Sequence, residues 1–176
     1  MKICIIGAGW FGCHIGYKLM SEGYDIKIFE KEKKIFLNAS GNNQNRLHRG
    51  FHYPRSEKTI KISKEGFDKF KKEYNFLTKK IDNNIYSIAK SNESKLSFKT
   101  YCSVLKKSKL KYKKLNDKDD VINKFTNLEG SIKCNEELII LSKAINFFKR
   151  KLNTKITYNH NVKKIIKKNK KFFIHD

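Results

Sequence analysis

The sequence predicts an α/β fold that opens with a β-α-β unit and a parallel sheet. Residues 2–6 read KICII, a nearly continuous apolar run that is typical of a strand buried on both faces. A glycine-rich turn and a helical stretch follow, and residues 25–30 then alternate as a second strand. Together these segments span about 30 residues, which is the length of one β-α-β unit.

The remaining elements are predicted from apolar spacing and from residues that end helices. The first helix runs to about residue 22, because Ile15 and Leu19 lie one turn apart and Gly23 is a typical C-terminal stop. Residues 31–55 are rich in Asn and Gly and predict a loop. The later predictions are helices over 56–77, 94–107 and 136–152, strands over 85–89, 132–134, 155–158, 162–166 and 171–174, and a basic solvated stretch over 106–114.

Length and composition indicate a folded protein. A chain of 176 residues can bury a core, and its 39% hydrophobic and 12% aromatic content argues against disorder. No apolar run is long enough for a membrane span, which takes about 18 residues. The first residues lead directly into a strand and lack the features of a signal peptide. We therefore expect a cytoplasmic protein without a transmembrane segment.

The net charge of +23 leaves two interpretations open. Lysine supplies 36 of the 40 basic residues and arginine only 4, as expected when AT-rich codons spread lysine over solvated surfaces. The other interpretation is a dedicated site for a polyanion, whose binding salt would weaken. We expect no specific nucleic-acid partner.

The four cysteines predict neither disulfides nor a metal site. They stand at positions 4, 13, 102 and 134, with no C-x-x-C pair and no zinc spacing. Cys4 falls in the first predicted buried strand, so reduced structural thiols are expected. The histidines form no H-E-x-x-H pattern, and no metal is expected.

The turn after the first strand carries the first functional motif. Gly7, Gly9 and Gly12 form G-x-G-x-x-G between a strand and a helix, and Glu30 closes the next strand. Gly7 permits the tight turn, Gly9 lets a pyrophosphate approach the backbone, and Gly12 lets the helix pack closely. The free N–H groups and the dipole of the helix N-terminus favour phosphate. The predicted dinucleotide-binding residues are Gly7, Ala8, Gly9, Trp10, Phe11, Gly12, Glu30 and Lys31.

The identity of the dinucleotide depends on the wider pattern. A carboxylate at Glu30 can accept hydrogen bonds from an adenosine ribose and argues against a 2′-phosphate, and so against NADP. Residues 7–31 read GAGWFGCHIGYKLMSEGYDIKIFEK, which resembles the glutathione-reductase-like FAD-binding pattern within the Rossmann-like folds. NAD-dependent enzymes often carry Asp at the ribose position, a distinction that is weak alone.

Residues 40–58 carry a second motif and read SGNNQNRLHRGFHYPRSEK. They resemble the D-amino-acid-oxidase-like (DAO) superfamily of FAD-dependent oxidoreductases, in particular the subset with L-2-hydroxyglutarate oxidases. FAD-dependent proteins encoded with surface-polysaccharide genes are also similar in this segment. The matching positions are Ser40, Gly41, Asn43, His48, Gly50, Tyr53, Pro54, Ser56 and Lys58.

This resemblance implies roles for the residues of the segment. Asn45, Arg46 and Leu47 would lie near FAD, while His48, His52 and Tyr53 would approach the flavin or the substrate and are the catalytic candidates; the alternative for the histidines is loop packing. Three of the four arginines, Arg46, Arg49 and Arg55, fall within ten residues. Since arginine is a planar bidentate donor, this mildly favours an anionic substrate, although a solvated basic loop would look the same.

The resemblance also implies a domain division. Residues 1–80 would be the first part of the FAD-binding domain, 81–133 an excursion into a β-rich substrate domain, and 134–176 the return. Val162 matches a family position whose backbone meets adenine, although an ordinary helix and hairpin would explain this region too. Family members are considerably longer, so we expect a truncated FAD-binding domain. A separately encoded C-terminal half is a candidate partner.

The predicted function is that of an FAD-dependent oxidoreductase, or its N-terminal portion. The resemblance implies oxidation of a C–H next to a hydroxyl or amine of a small, anionic substrate by hydride transfer to the flavin. The alternatives are an NAD-binding enzyme on the same β-α-β unit, and a non-catalytic cofactor-binding or polyanion-binding remnant. Flavin-dependent sugar isomerisation shares the first motif but fits residues 40–58 less well.

Overall fold

The computed structural model describes residues 2–116, 119, 122–169 and 171–175. The helices within these residues are α1 (Trp10–Ser21), α2 (Glu57–Tyr74), α3 (Phe98–Lys107) and α4 (Leu141–Leu152), with 3-10 turns at Asn75–Leu77 and Asn153–Lys155. The strands are β1 (Lys2–Ile6), β2 (Asp25–Phe29), β3 (Arg46–Leu47), β4 (Thr78–Lys80), β5 (Ile85–Ala89), β6 (Tyr112–Leu115), β7 (Leu128–Cys134), β8 (Glu137–Ile139), β9 (Ile156–Thr157), β10 (Lys164–Lys168) and β11 (Lys171–His175).

The chain divides by packing into two compact units. The first is discontinuous and consists of Met1–Asn45 and Ile140–Asp176, and the second is Arg46–Ile139. Residues 46–80 therefore pack with the second unit, whereas the functional division predicted above assigns them to the cofactor-binding part. That division, with boundaries at 80 and 133, remains a prediction about function.

The first unit is built on the predicted β-α-β unit. Its parallel sheet has the order β1-β2-β9, and β1 pairs with β2 over its full length. Helix α1 packs closely on this sheet at Gly16, where the lack of a side chain permits the approach. A Cβ at that position would stand only 2.8 Å from Cδ1 of Ile28. Antiparallel β10 and β11 form a separate two-stranded ribbon. The α/β fold class predicted from the sequence is thereby confirmed.

The burial predicted for the first strand is wrong. Residues Lys2, Cys4 and Ile6 of β1 are exposed and the residues between them are only half-buried. Strand β1 stands at the edge of the described three-stranded sheet, with β2 as its neighbour. An apolar run such as KICII indicates what a strand can bury but not how many of its faces are covered. In β2 only the alternating residues Ile26 and Ile28 are nearly inaccessible, whereas Asp25 and Lys27 are exposed.

The second unit contains two antiparallel sheets, with the strand orders β3-β8-β4 and β5-β7-β6. Ser56 and Ser97 start α2 and α3, and each side chain accepts a hydrogen bond from the amide three residues later, as helix-capping serines do. A buried cluster joins α2 and α3 to the second sheet. Its members are Phe51, Ile60, Tyr101, Cys102, Leu105, Leu110, Ile132 and Cys134.

Two segments predicted within residues 106–152 differ from the structure. The helix predicted over 136–152 begins only at Leu141, because residues 137–139 form β8 and pair with β3 and β4. The stretch 106–114, predicted to be basic and solvated, contains the buried Leu110 and the start of β6. In both places a local pattern was overridden by pairing with strands that are distant in sequence.

The remaining differences between prediction and structure are two short strands and the positions at which two elements begin. The loop predicted over 31–55 contains the two-residue strand β3, and a strand that was not predicted, β4, follows α2. The helix predicted from residue 94 starts at Phe98. The strand predicted over 162–166 starts at Lys164, which leaves Val162 just before it.

Candidate functional site

The glycine-rich turn has the geometry that its motif requires. Gly7 adopts φ of +94°, a conformation that side chains other than hydrogen disfavour, and its N–H donates to the carbonyl of Phe29 at 2.7 Å. A Cβ at Gly12 would overlap the carbonyl oxygen of Gly7. The turn therefore joins β1 to α1 only with glycine at both positions.

Residues 36–41 lie against the start of α1. The hydroxyl of Ser40 accepts a hydrogen bond from the Trp10 N–H at 2.8 Å, and the Phe36 N–H donates to the carbonyl of Ala8 at 3.3 Å. A Cβ at Gly41 would overlap the carbonyl oxygen of Phe36, so glycine is required there too. Since the first N–H groups of a helix have no intrahelical acceptor, this end of α1 suits an anion.

Glu30 is a buried carboxylate that faces the same turn. Its side chain accepts the Ala8 N–H at 2.5 Å through Oε2 and the Glu32 N–H at 2.9 Å through Oε1. The residue is 6% exposed. Because a carboxylate has about four acceptor positions, two remain for hydroxyl groups of a ligand.

These features line one cavity of about 430 Å³ within the first unit. His160 stacks on Phe29 at a centroid distance of 4.3 Å and forms part of its wall. Of the predicted cofactor residues, the cavity brings together Gly7, Gly9, Glu30, Lys31 and Val162. The other lining residues are Ile6, Phe29, Phe36, Leu37, Asn38, Ala39, Ser40, His160 and Asn161.

Four further predicted residues of the first unit have other surroundings. The indole of Trp10 packs against Phe36 and Phe148 at centroid distances of 5.5 Å. Phe11 is 80% exposed. Ala8 is fully buried and contributes its backbone N–H. Asn45, with φ of +50°, is the last residue of this stretch of the unit and bonds to Asn43.

Arg46 and Leu47 belong to the second unit, where they form β3. The guanidinium of Arg46 donates to Oδ1 of Asn84, whose amide donates to the sulfur of Cys134 at 3.1 Å. This side chain is therefore already engaged by the buried Asn84.

The catalytic candidates His48, His52 and Tyr53 form one aromatic cluster in the second unit. The two imidazoles stack at 5.6 Å, and the Tyr53 ring stands edge-on to both. Nδ1 of His48 lies 3.1 Å from Oε2 of Glu136. The structure thus joins His48 to a carboxylate from a segment that was predicted to be helical.

Glu136 is almost inaccessible, at 1% exposure, yet it is well satisfied. Besides His48, its carboxylate accepts the Arg49 N–H at 2.7 Å and the Tyr86 hydroxyl at 2.8 Å. Burial alone would raise the pKa of Glu136, but the hydrogen bonds from these three groups outweigh it and hold the pKa below its ordinary value. The Tyr86 pKa is raised by burial and by this bond, so the tyrosine donates as a neutral phenol.

Because of the lowered pKa of Glu136, we expect the stability of the fold to fall at acid pH. Since the pKa of Glu136 is lower in the folded chain, its contribution to stability is present above the ordinary glutamate pKa and is lost as the pH falls through the folded value. We expect Glu136→Gln to cost about 1–2 kcal/mol at neutral pH and to flatten the acid limb of the stability profile. Urea unfolding at neutral and acid pH measures both effects. An acid limb as steep in the variant as in the wild type would contradict this role.

Several residues of these arrangements were not predicted as site residues. Ser40 belongs to the Ser-Gly motif, and His160 stands two residues before Val162, so both had a local pattern that could have indicated them. Tyr86 and Glu136 had none, because their partners are 38 to 88 residues away.

Two further findings concern the described residues. Within them, no group of three or more His, Cys, Asp and Glu side chains is placed to hold a metal ion. None of the helices in this part of the chain has the length and apolar character needed to cross a membrane.

Comparison with known proteins identifies relatives along most of the chain. It is 35% identical over 161 residues to the FAD-dependent monooxygenase FPY4 of Fusarium mangiferae, covering 92% of this chain and 42% of that protein. It is 34% identical over 68 residues to the mitochondrial L-2-hydroxyglutarate dehydrogenase of Caenorhabditis briggsae, covering 38% of this chain and 16% of that protein.

The fold is also shared with solved structures. L-α-glycerophosphate oxidase from Mycoplasma pneumoniae, solved with FAD bound, matches with a TM-score of 0.78 at 17% identity, over 98% of this chain and 48% of that one. The chain thus spans less than half the length of FPY4 and of this oxidase. The family model for FAD-dependent oxidoreductases (DAO) matches residues 2–101, more than half of the sequence. The chain therefore belongs to the DAO family of FAD-dependent oxidoreductases.

Proposed function

We propose that this chain binds FAD and forms the cofactor-binding part of an oxidoreductase. The observation that carries the proposal is the 430 Å³ cavity, in which the Gly7–Gly12 turn, Glu30 and Val162 meet within one compact unit. Its volume falls in the range of about 300–1,000 Å³ that is usual for ligand sites. Family membership supports FAD over NAD as the dinucleotide.

The residues present fit the parts of FAD. The glycine-rich turn and the first N–H groups of α1 would hold the pyrophosphate. The two acceptor positions left on Glu30 would hold ribose hydroxyls, and Val162 and His160 would lie beside the adenine. The Trp10 N–H is already bonded to Ser40, so the phosphates would use the amides next to it.

The proposed reaction is oxidation of a small, anionic substrate. When bound, FAD would supply the oxidising chemistry, the acceptance of a hydride from a C–H next to a hydroxyl or amine. His48, His52 and Tyr53 are the proposed residues on the substrate side, and His48 follows Asn45 by only three positions along the chain. Arg55 is exposed and is the arginine of this segment proposed for an anionic group.

A second candidate reaction is monooxygenation, which the similarity to FPY4 favours. The two reactions differ in the fate of molecular oxygen. If a screen of small hydroxy and amino acids yields turnover, an ¹⁸O₂ experiment separates them. Label in the organic product supports monooxygenation, and an unlabelled carbonyl product supports the oxidation proposed above.

Exposed apolar side chains support a further partner of this part of the fold. In the first unit Phe11, Ile15, Ile165, Phe172 and Phe173 are all 46% exposed or more. We propose that they contact the remainder of the family fold, in the same polypeptide or as a separately encoded half. The expected location is the cytoplasm.

The absorption spectrum tests FAD binding directly. The purified chain, incubated with FAD and desalted, is expected to retain the visible flavin bands. Gly9→Val is expected to weaken FAD binding about tenfold or more, because the valine side chain would occupy the approach to the turn. Even its Cβ alone would lie 3.1 Å from Oγ of Ser40.

Two other results would favour an alternative function, and a third would contradict the site. Retention of NAD without flavin would favour the NAD-binding alternative. Strongly salt-dependent polyanion binding without flavin would favour a basic module. Equal FAD binding by the wild type and Gly9→Val would contradict the assignment of the turn.

A further inference from the structure

Glu136 is a buried carboxylate that the proposed FAD site does not use. It lies immediately before β8, its side chain is fully inaccessible, and three donors from two segments, residues 48–49 and Tyr86, converge on it. Such a group is costly to bury unless it has a complete set of partners, and here it has them. Among the partners of this carboxylate, the imidazole of His48 is the one that can carry its proton on either of two nitrogens.

The carboxylate determines which nitrogen of His48 carries the proton. Oε2 of Glu136 is an ionised acceptor 3.1 Å from Nδ1, so Nδ1 must be the donor. In a neutral imidazole the other nitrogen then has a free lone pair. The geometry selects the Nδ1–H tautomer, with Nε2 as the acceptor.

Nε2 of His48 lies across the ring from the nitrogen that meets Glu136. The His48 side chain is 26% exposed although its Nδ1 edge faces the inaccessible carboxylate. Stacking on His52 and the edge-on ring of Tyr53 restrict rotation of the imidazole. These contacts and the bond to Glu136 therefore define the orientation of the accepting nitrogen.

We infer that Glu136 is a positioning residue that makes Nε2 of His48 the proton acceptor for the substrate. The inference rests on the proposed oxidation. When a C–H next to a hydroxyl loses a hydride to the flavin, the C–O bond becomes a carbonyl and the hydroxyl proton must leave. That proton forms a bond to Nε2, and the resulting imidazolium is stabilised by the carboxylate on its opposite nitrogen.

The test reads the tautomer directly. The full chain is labelled with ¹⁵N-histidine, and long-range ¹H–¹⁵N spectra are recorded at a pH where the imidazole is neutral, with His48→Asn to assign the signals. We expect a protonated Nδ1 and an unprotonated Nε2 in the wild type. Glu136→Gln is expected to abolish this preference, because an amide can present either a donor or an acceptor to Nδ1.

Glu137→Gln is the matched control. It removes the adjacent carboxylate with the same change in charge, but Glu137 bonds to Lys71 at 2.5 Å and has no recorded bond to His48 among the described residues. We expect the His48 tautomer to be unchanged in this variant. If turnover is found, Glu136→Gln should lower kcat about tenfold or more with KM little changed, and Glu137→Gln should not.

Two results would overturn the inference. One is an Nε2–H tautomer of His48 in the wild type, a measurement that does not depend on whether Glu136→Gln folds. The other is an unchanged tautomer in a folded Glu136→Gln chain. Since no step of the spectroscopic test requires FAD, a chain that shows the expected tautomer but binds no flavin would refute the proposed function and leave the positioning of His48 standing.

Discussion

Gly12→Ala is expected to destabilise the first unit by about 3 kcal/mol or more and to abolish FAD binding. The added methyl group would overlap the carbonyl oxygen of Gly7 and stand 3.1 Å from its carbonyl carbon. Gly7 cannot yield easily, because its N–H is bonded to Phe29 and its positive φ already defines the turn. Thermal unfolding should show a fall of roughly 6–12 °C, and titration with FAD should show no saturation.

Gly66→Ala is the matched control for this variant. Gly66 lies inside α2, and nothing stands within 4 Å of the position that its Cβ would occupy. Since alanine is the better helix former, this variant should gain about 0.5–1 kcal/mol and bind FAD as the wild type does. A Gly12→Ala chain as stable as the wild type would show that the turn tolerates a side chain and would refute its described geometry.

Glu30→Ala is expected to lower both stability and affinity for FAD. Its carboxylate is the acceptor for the N–H groups of Ala8 and Glu32, and Ala8 is fully buried, so its amide would lose its partner without gaining water. Leaving such a donor unsatisfied costs about 1–3 kcal/mol. The lost hydrogen bonds to the ribose should weaken FAD binding by a further 1–3 kcal/mol or so, measured by flavin fluorescence titration.

Glu32→Gln provides the comparison, because the Glu32 side chain has weak partners, Asn38 at 3.3 Å and Lys31 at 3.9 Å, while its backbone N–H still reaches Glu30. It should change stability by less than about 0.5 kcal/mol. The two measurements on Glu30→Ala can fail separately. Lower stability with unchanged FAD affinity would mean that Glu30 only fastens the turn, and lower affinity with unchanged stability would mean that the Ala8 amide finds another acceptor.

The predictable part of this protein is the part whose contacts are local. The turn from Gly7 to Gly12 and the carboxylate of Glu30 lie within one β-α-β unit, and the spacing of these residues defines their geometry. The end of α1 was equally predictable, because Gly23 is a typical helix stop. The structure shows it just after the helix with φ of +86°. In each case the residue type is dictated by a backbone requirement that acts within about 30 positions.

The part that could not be predicted depends on long-range pairing. Glu136 and β8 were assigned to a helix because Leu138, Leu141 and Ile145 have helical spacing, yet β8 is the central strand between β3 and β4. Strand β3 has only two residues, too few for an alternating pattern to show. The prediction that β1 is buried was wrong for a similar reason, since a sequence does not show how many faces of a strand are covered.

The second unit begins and ends in one pair of neighbouring strands. Arg46, its first residue, faces Leu138, the last but one, across the antiparallel pair β3–β8, where Cα atoms are about 5 Å apart. A module whose two ends meet can be inserted into a host chain in place of a short turn, without threading through the host. The second unit can therefore be exchanged or reshaped in evolution while the glycine-rich turn of the first unit stays intact.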